Sequence, residues 1–319
     1  MAGARGFERG FIADVLAPLA SDPVARGLTD DAAVWTPPLG RDLVFTHDVL
    51  AAGVHFLGQD PPGDIAWKLL AVNLSDLAAM AAQPVGVLMG LGLSAAQDEA
   101  WRADFAAGLG RALVHFGVAL WGGDTVTGLD RAVIGLTAIG TLLPGAATGR
   151  DGARPGDGLY VSGTIGDAGL GLAMAQGTLK AETALLKRYR LPMPRVALGR
   201  VLAGCATACM DVSDGLLIDA QRLAAASGVA IEIDLAAMPV SDAARRIAGD
   251  DDAGRLRLAT SGDDYELLFT APPGFDADAA ALSGKVAVTR IGTVSAGMGL
   301  HLTGQAGPIA LPARLGWEH

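Results

Sequence analysis

Positive charge is scarce in this 319-residue chain: there are four lysines, Lys68, Lys180, Lys187 and Lys285, and 24 basic residues against 34 acidic ones, for a formal net charge of −10. That balance repels nucleic acid and anionic membrane, so neither is an expected partner. It repels phosphate compounds too, so nucleotide chemistry here would need divalent cations to bridge acid to phosphate. Cysteine is nearly absent. Cys205 and Cys209 have no second pair and no Cys/His cluster around them, which excludes a disulfide framework and a zinc site and leaves two small buried hydrophobes as the expectation. Long apolar runs are missing. The longest, Val85 to Leu93, is far short of the ~20 residues of a membrane span. The N-terminal run Met-Ala-Gly-Ala-Arg-Gly-Phe-Glu-Arg lacks the apolar centre of a secretory leader. A soluble, cytoplasmic protein is expected.

Familiar catalytic signatures are missing as well. There is no G-x-x-x-x-G-K-[ST] loop, no kinase glycine loop with its lysine and His-Arg-Asp, and no G-x-S-x-G elbow. Gly163-Thr164-Ile165-Gly166-Asp167-Ala168-Gly169 follows a strand and opens a helix, but its spacing is wrong for a dinucleotide fingerprint. It reads as a turn where helix and strand pack closely.

What is present is a core. Hydrophobic residues make up 51% and charged residues 18%, and the length suits two domains. Phe7, Phe11, Ile12, Val15, Leu16 and Leu19 predict a first amphipathic helix ended by Asp22-Pro23. Strands are expected at Leu43–Leu50, Val85–Leu93, Val118–Trp121 and Ala132–Leu142. Helices are expected from about Asp64 to Ala81 and, behind a Ser94/Gln97 capping box, to about Phe116. The Gly-, Pro-, Arg- and Asp-rich stretch Pro144–Gly158 marks the boundary between domains 1–143 and 144–319. Beyond it, strands at 159–161, 209–212, 230–235, 266–270 and 286–294 alternate with helices. Both halves therefore read as α/β or α+β.

The aspartates carry the chemistry. Asp30 and Asp31 run into an apolar stretch read as a strand, although two acids in a loop are ordinarily just solvated. Asp48 sits inside the strand pattern Val44–Leu50, which disfavours aspartate. Asp76 falls mid-helix, where capping cannot account for it, and shares a helical face with Asn73. Asp124 follows Gly122-Gly123 at a strand end, a place for a plain turn or for close approach to a ligand. Asp211 and Asp214 are three apart at a strand-to-helix junction, where a cap accounts for one acid but not both. Such acids suit Mg²⁺-dependent phosphate chemistry, because magnesium takes oxygen ligands and bridges one or two carboxylates to phosphate.

Taken in order, Asp30-Asp31-Ala32-Ala33-Val34, Asp48-Val49-Leu50 with Gly53-Val54-His55-Phe56, Ala71-Val72-Asn73-Leu74-Ser75-Asp76-Leu77-Ala78-Ala79-Met80, Gly122-Gly123-Asp124-Thr125, Asp211-Val212-Ser213-Asp214-Gly215-Leu216 and Asp264-Tyr265-Glu266-Leu267 resemble the thiamine-monophosphate kinase family. The match spans nearly the whole chain. It implies a two-domain α/β (α+β) fold like that of aminoimidazole-ribonucleotide synthetase, with the N-terminal sheet forming a homodimer interface. It implies ATP as co-substrate, thiamine monophosphate as acceptor and several Mg²⁺ ions. Metal ligands would be Asp31, Asp48, Asp76, Asp124, Asp211 and Asp214, with Thr46 and the backbone of His47. Gly123, Asp124, Arg150 and Ser213 would contact nucleotide; His55, Asp263 and Trp317 would contact the acceptor. No general base is expected. Four positions depart from the family pattern: Leu28 before the first acids, His47, Val126, and Ser261-Gly262-Asp263 in place of glycine-glycine-glutamate. Two rivals stand beside this reading. One is another enzyme of the superfamily, with the late first cysteine, Cys205, arguing against selenophosphate synthetase. The other is a silent module that binds nucleotide or thiamine phosphate without turnover.

Overall fold

Residue alternation builds the first strand. From Asp42 to Ala51 (β1), Thr46, Asp48 and Leu50 turn inward while Phe45, His47 and Val49 turn outward, the two-residue period of a half-covered sheet. In the computed structural model, which describes residues 10–318, β1 is an edge strand of a four-stranded sheet ordered β1-β4-β2-β3. Its partners are β2 (Gln83–Ser94), β3 (Ala119–Leu129) and β4 (Val133–Leu142). β1 runs antiparallel to β4, and β2 runs parallel to β3. Helices α1 (Pro62–Ala79) and α2 (Glu99–Phe116) complete this unit, which takes in the described residues to Leu77 and Pro84–Leu143. α1 is apolar nearly all round because nearly all of it is buried: Leu69, Leu70, Leu74 and Leu77 have no exposed surface, each contributing roughly 1.5–3 kcal/mol.

Several expectations are corrected. No strand follows Asp31; residues 32–38 are irregular and Val34 is exposed. The first helix is broken into short turns, Ile12–Leu16 and Ala17–Leu19; Pro18 removes an amide donor and prevents one continuous helix, and Phe7 lies outside the described residues. Asp22 caps the next turn through Val24 N–H at 2.8 Å. The Ser94/Gln97 pair does form, Ser94 N–H and Oγ meeting Gln97 Oε1 at 3.1 and 2.8 Å, but in the turn ahead of α2. The helix itself is capped by Asp98, which accepts from Trp101 N–H. Cys205 is exposed and only Cys209 is buried. Gly122-Gly123-Asp124 lies within β3 rather than at its end, because the strand continues in register with β2 through Gly123↔Met89 and Asp124↔Gly90. Gly123 makes that possible: its φ is 156°, and a Cβ there would sit 1.8 Å from Met89 O.

The second unit, Ala78–Gln83 with Pro144 onward, is built on a seven-stranded sheet ordered β11-β10-β7-β9-β5-β8-β6. Its strands are β5 (Gly158–Ser162), β6 (Ala208–Val212), β7 (Ala230–Asp234), β8 (Glu266–Ala271), β9 (Val288–Ser295), β10 (Gly299–Gly304) and β11 (Gly307–Ile309). Its helices are α3 (Asp167–Ala175), α4 (Thr183–Arg190), α5 (Val196–Leu202), α6 (Leu216–Ser227), α7 (Asp242–Ala248), α8 (Asp252–Ala259) and α9 (Ala277–Gly284). Both sheet faces are covered, as near-continuous apolar strands require. Leu159, Val161, Met210, Val212 and Leu268 pack with Leu216, Leu217 and Leu223 of α6. Tyr160, Cys209, Leu267 and Phe269 pack the other way with Leu198 and Leu202 of α5. Among the described residues no helix is long and apolar enough to cross a membrane.

Candidate functional site

In the first unit Asp48 and Asp76 are placed where β1 faces α1. Thr46 Oγ1 donates to Asp76 Oδ2 at 2.5 Å. Asn73 Oδ1, one helical turn from Asp76, accepts from Asp48 N–H at 2.9 Å, while its Nδ2 donates to Leu69 O. The helix thus holds Thr46, Asp48 and Asp76 together on the inner side of β1. His47 points the other way, its Nδ1 2.9 Å from Thr137 Oγ1 on β4, so its imidazole stands apart from the acids. Asp124 lies on β3, at the opposite edge of the sheet from β1, about 14 Å away by three strand spacings. Asp31 is exposed in its loop, beside Asp30, which pairs with Arg26. At the turn after β1, His55 Nδ1 accepts from Ala51 N–H at 3.1 Å, which leaves the proton on Nε2. Lys68 Nζ donates to His55 O at 3.1 Å and fixes the same turn.

In the second unit two segments, around Asp263 and Tyr265 and at Trp317, are tied by three backbone hydrogen bonds to the end of β6 and the turn after it. Tyr265 N–H donates to Val212 O (2.8 Å), Asp263 N–H to Ser213 O (2.8 Å) and Trp317 N–H to Asp214 O (2.9 Å). Asp211, Ser213, Asp214, Asp263 and Trp317 therefore share one neighbourhood. Asp263 and Tyr265 hold left-handed φ values of 70° and 51°, a conformation costing on the order of 1–3 kcal/mol per non-glycine residue and concentrated at functional sites. Tyr265 Oη donates to Asp263 Oδ1 at 3.1 Å. Arg150 is exposed, and its carbonyl takes Ser227 Oγ at 2.9 Å.

Asp219 and Arg222, which no sequence motif singles out, hold this arrangement. Asp219, fully buried on α6, accepts from the N–H groups of Ser213, Asp214 and Gly215 with Oδ2 (3.1, 3.1 and 3.2 Å). Arg222 Nη1 bridges Asp219 Oδ1 at 2.8 Å and Asp214 Oδ2 at 2.5 Å. Burial pushes the Asp219 carboxyl up to about 6, and Asp214 adds to the rise while Arg222 and the amides oppose it. Glu266, buried at the start of β8, takes Ser162 Oγ at 2.5 Å, Arg188 Nη2 at 2.7 Å and both Nε and Nη2 of Arg195. Gly163 makes room for it, since a Cβ there would lie 2.1 Å from Glu266 Oε1. Asp264 caps α3 through Gly166 N–H (2.7 Å) and Ala168 N–H (3.3 Å).

Burial pushes the Asp264 carboxyl up to about 8 against the pull of those amides and Arg188. A carboxyl held above its unfolded value near ~3.9 binds its proton more tightly in the fold, so its contribution is full in acid and lost as pH rises to about 8. Asp264→Asn is therefore expected to flatten the fall in stability between pH 4 and 8, read from urea midpoints across pH. Parallel profiles for variant and parent would refute it.

The donor set around β1 and α1 is oxygen only, which fits a hard cation. Among the described residues, no three His, Cys, Asp or Glu side chains stand close enough to enclose a metal. The fit is therefore to magnesium held by one or two carboxylates and completed by water and phosphate.

Comparison with known proteins matches residues 29–142 to the N-terminal domain and 154–305 to the C-terminal domain of AIR synthase related proteins. A thiamine-monophosphate kinase of Caulobacter vibrioides is 43% identical over 97% of this chain and 89% of its own length. The crystal structure of thiamine-monophosphate kinase from Stenotrophomonas maltophilia superposes with a TM-score of 0.83 at 40% identity, over 93% of this chain and 97% of that one. A structure described as AaThiL complexed with AMPPCP and TMP superposes at 0.79 with 30% identity, over 98% of this chain and 96% of that one.

Proposed function

The chain belongs to the thiamine-monophosphate kinase family, and from that premise we propose how its residues perform the transfer from ATP to thiamine monophosphate that yields ADP and thiamine diphosphate. The acceptor is itself a phosphate monoester, whose second pKa near ~6 leaves it largely ionised at neutral pH. No general base has to remove a proton. The barrier is bringing two polyanions together. Mg²⁺ held by the aspartates would supply the neutralising charge.

The observation that carries the reading is the fixing of Asp48 and Asp76 across β1 and α1, with Asn73 and Thr46 setting their positions. Asp31, Asp48, Asp76, Asp124, Asp211 and Asp214, with Thr46 and the His47 backbone, are the proposed oxygen ligands. Ser213 and Arg150 are assigned to nucleotide, Arg150 as a cationic fork on phosphate; Gly123 brings backbone close to it. Asp263 and the face of Trp317 suit the cationic thiazolium and flat pyrimidine of thiamine, and His55 offers Nε2–H to the acceptor. In this reading the enzyme works in the cytoplasm.

We also propose a homodimer through the outer face of the four-stranded sheet. Phe45 is 63% exposed there, with Val49, Leu88 and Val126 also exposed, an apolar face a lone copy would leave in water. Phe45→Asp is expected to give monomers by analytical ultracentrifugation and to lower activity at least about tenfold, since a charge in a buried interface is costly. An active dimeric variant would refute the assignment.

The deciding experiment is an assay of ADP release with Mg-ATP and thiamine monophosphate, with free thiamine and buffer as controls. Thiamine diphosphate formed in step with ADP supports the reading. ATP binding without product would instead mean a silent module.

A further inference from the structure

The turn after β6 has no backbone polar group left over at its two central residues. The N–H groups of Ser213, Asp214 and Gly215 converge on one oxygen of Asp219, and the carbonyls of Ser213 and Asp214 are taken by Asp263 N–H and Trp317 N–H. Successive amides converging in this way form a nest, which in other proteins cradles phosphate. Here an internal carboxylate fills it. The backbone amides of this turn therefore cannot hold a nucleotide phosphate. What the turn can offer a ligand is the side chains of Ser213 and Asp214, next to Asp211 near the end of β6: two carboxylates and a hydroxyl. The turn is committed to cation, and any contact of Ser213 with nucleotide runs through Oγ.

We propose that Asp219 is the positioning residue of the second unit's site. It locks the turn in the form that presents Ser213 and Asp214 beside Asp211 of β6, and through the same turn it sets the acceptor-side segments carrying Asp263 and Trp317. Arg222 steadies the arrangement by pairing Asp219 with Asp214. Asp219 touches no reacting atom. Its buried position on α6, behind the turn, leaves it acting only through the three amides and Arg222. The inference rests on the kinase reading above.

The test compares Asp219→Ala with Asp219→Asn, since the asparagine oxygen still accepts from the amides and alanine cannot. Steady-state kinetics would give kcat and KM for Mg-ATP and for thiamine monophosphate; titration would give Kd for a non-hydrolysable ATP analogue with Mg²⁺. All measurements are made well below each variant's melting temperature. Asp219→Ala is expected to lose about 10–100-fold in kcat/KM for both substrates and to bind the Mg²⁺-analogue correspondingly more weakly, the usual scale for groups supporting a ligand set. Asp219→Asn is expected to recover most of both. A merely structural role would lower the melting temperature of Asp219→Ala and leave folded-state kcat/KM and Kd unchanged; that result overturns the proposal. So does an Asp219→Asn variant as impaired as alanine, which would place the effect in the charge and not in amide acceptance. A parent enzyme that makes no thiamine diphosphate would sink the kinase reading instead, while the analogue titration would still report on the turn.

Discussion

Replacing Asp76 with alanine is expected to lower kcat about a thousandfold or more while leaving the protein folded. The size follows from charge: a cation clamp on transferring phosphoryl oxygens stabilises the transition state by several kcal/mol, and about 4 kcal/mol corresponds to a thousandfold. The tolerance of the fold follows from packing. Asp76 is only half-buried in α1, and the apolar surface that holds the helix belongs to Leu69, Leu70, Leu74 and Leu77. The substitution leaves Thr46 Oγ1 without its acceptor, a loss of about 1 kcal/mol. Kinetics alongside a thermal melt separate the two effects. A variant that melts many degrees lower would show Asp76 to be structural, and one that retains a tenth of parental kcat would remove it from the metal set.

The largest effect on stability is expected at Glu266. Its carboxylate has no exposed surface and is matched by Arg188 and Arg195, themselves about one-fifth exposed. A buried ion pair adds little net stability over an apolar isostere, but removing one partner strands the other. Glu266→Ala leaves two guanidiniums facing each other across a low-dielectric gap. The expected cost is about 3–5 kcal/mol, or a fall in melting temperature of about 10 °C for a unit of this size. Calorimetry on the intact chain should place the shift in one unfolding transition. A fall of less than about 2 °C would mean that the arginines simply turn to solvent, at a cost below roughly 1 kcal/mol.

Much of the fold was legible because it is written in short-range pattern. β1 announces itself by alternation and α1 by apolar residues on nearly every side with no glycine or proline in its interior. The acids of β1 and α1 were legible for the same reason, since Asp48 and Asp76 break patterns that otherwise exclude charge. What escaped depends on partners distant in sequence. Asp219 looks like the polar face of an amphipathic helix; only the fold turns it back on Ser213. Glu266 reads as the start of a strand, because its arginines come 71 and 78 residues earlier. The place of Asp124 was misjudged at short range: two glycines suggested a break, whereas the parallel neighbour β2 keeps the strand going. The capping box was real chemistry read one turn too early, with Asp98 the better acceptor for α2.

The turn at Ser213 and Asp214, with its amides and carbonyls all engaged, also bears on how affinity is obtained. A loop that orders on binding loses roughly 1–2 kcal/mol of conformational entropy per residue at the moment the ligand arrives. This turn surrenders that freedom when the chain folds, so a ligand meets a surface already in its bound form and keeps more of its contact energy as affinity. The same rigidity narrows what the turn can accept. A ligand whose cation sits a fraction of an ångström out of place finds no compliant backbone there, and discrimination arises from stiffness without any added contact.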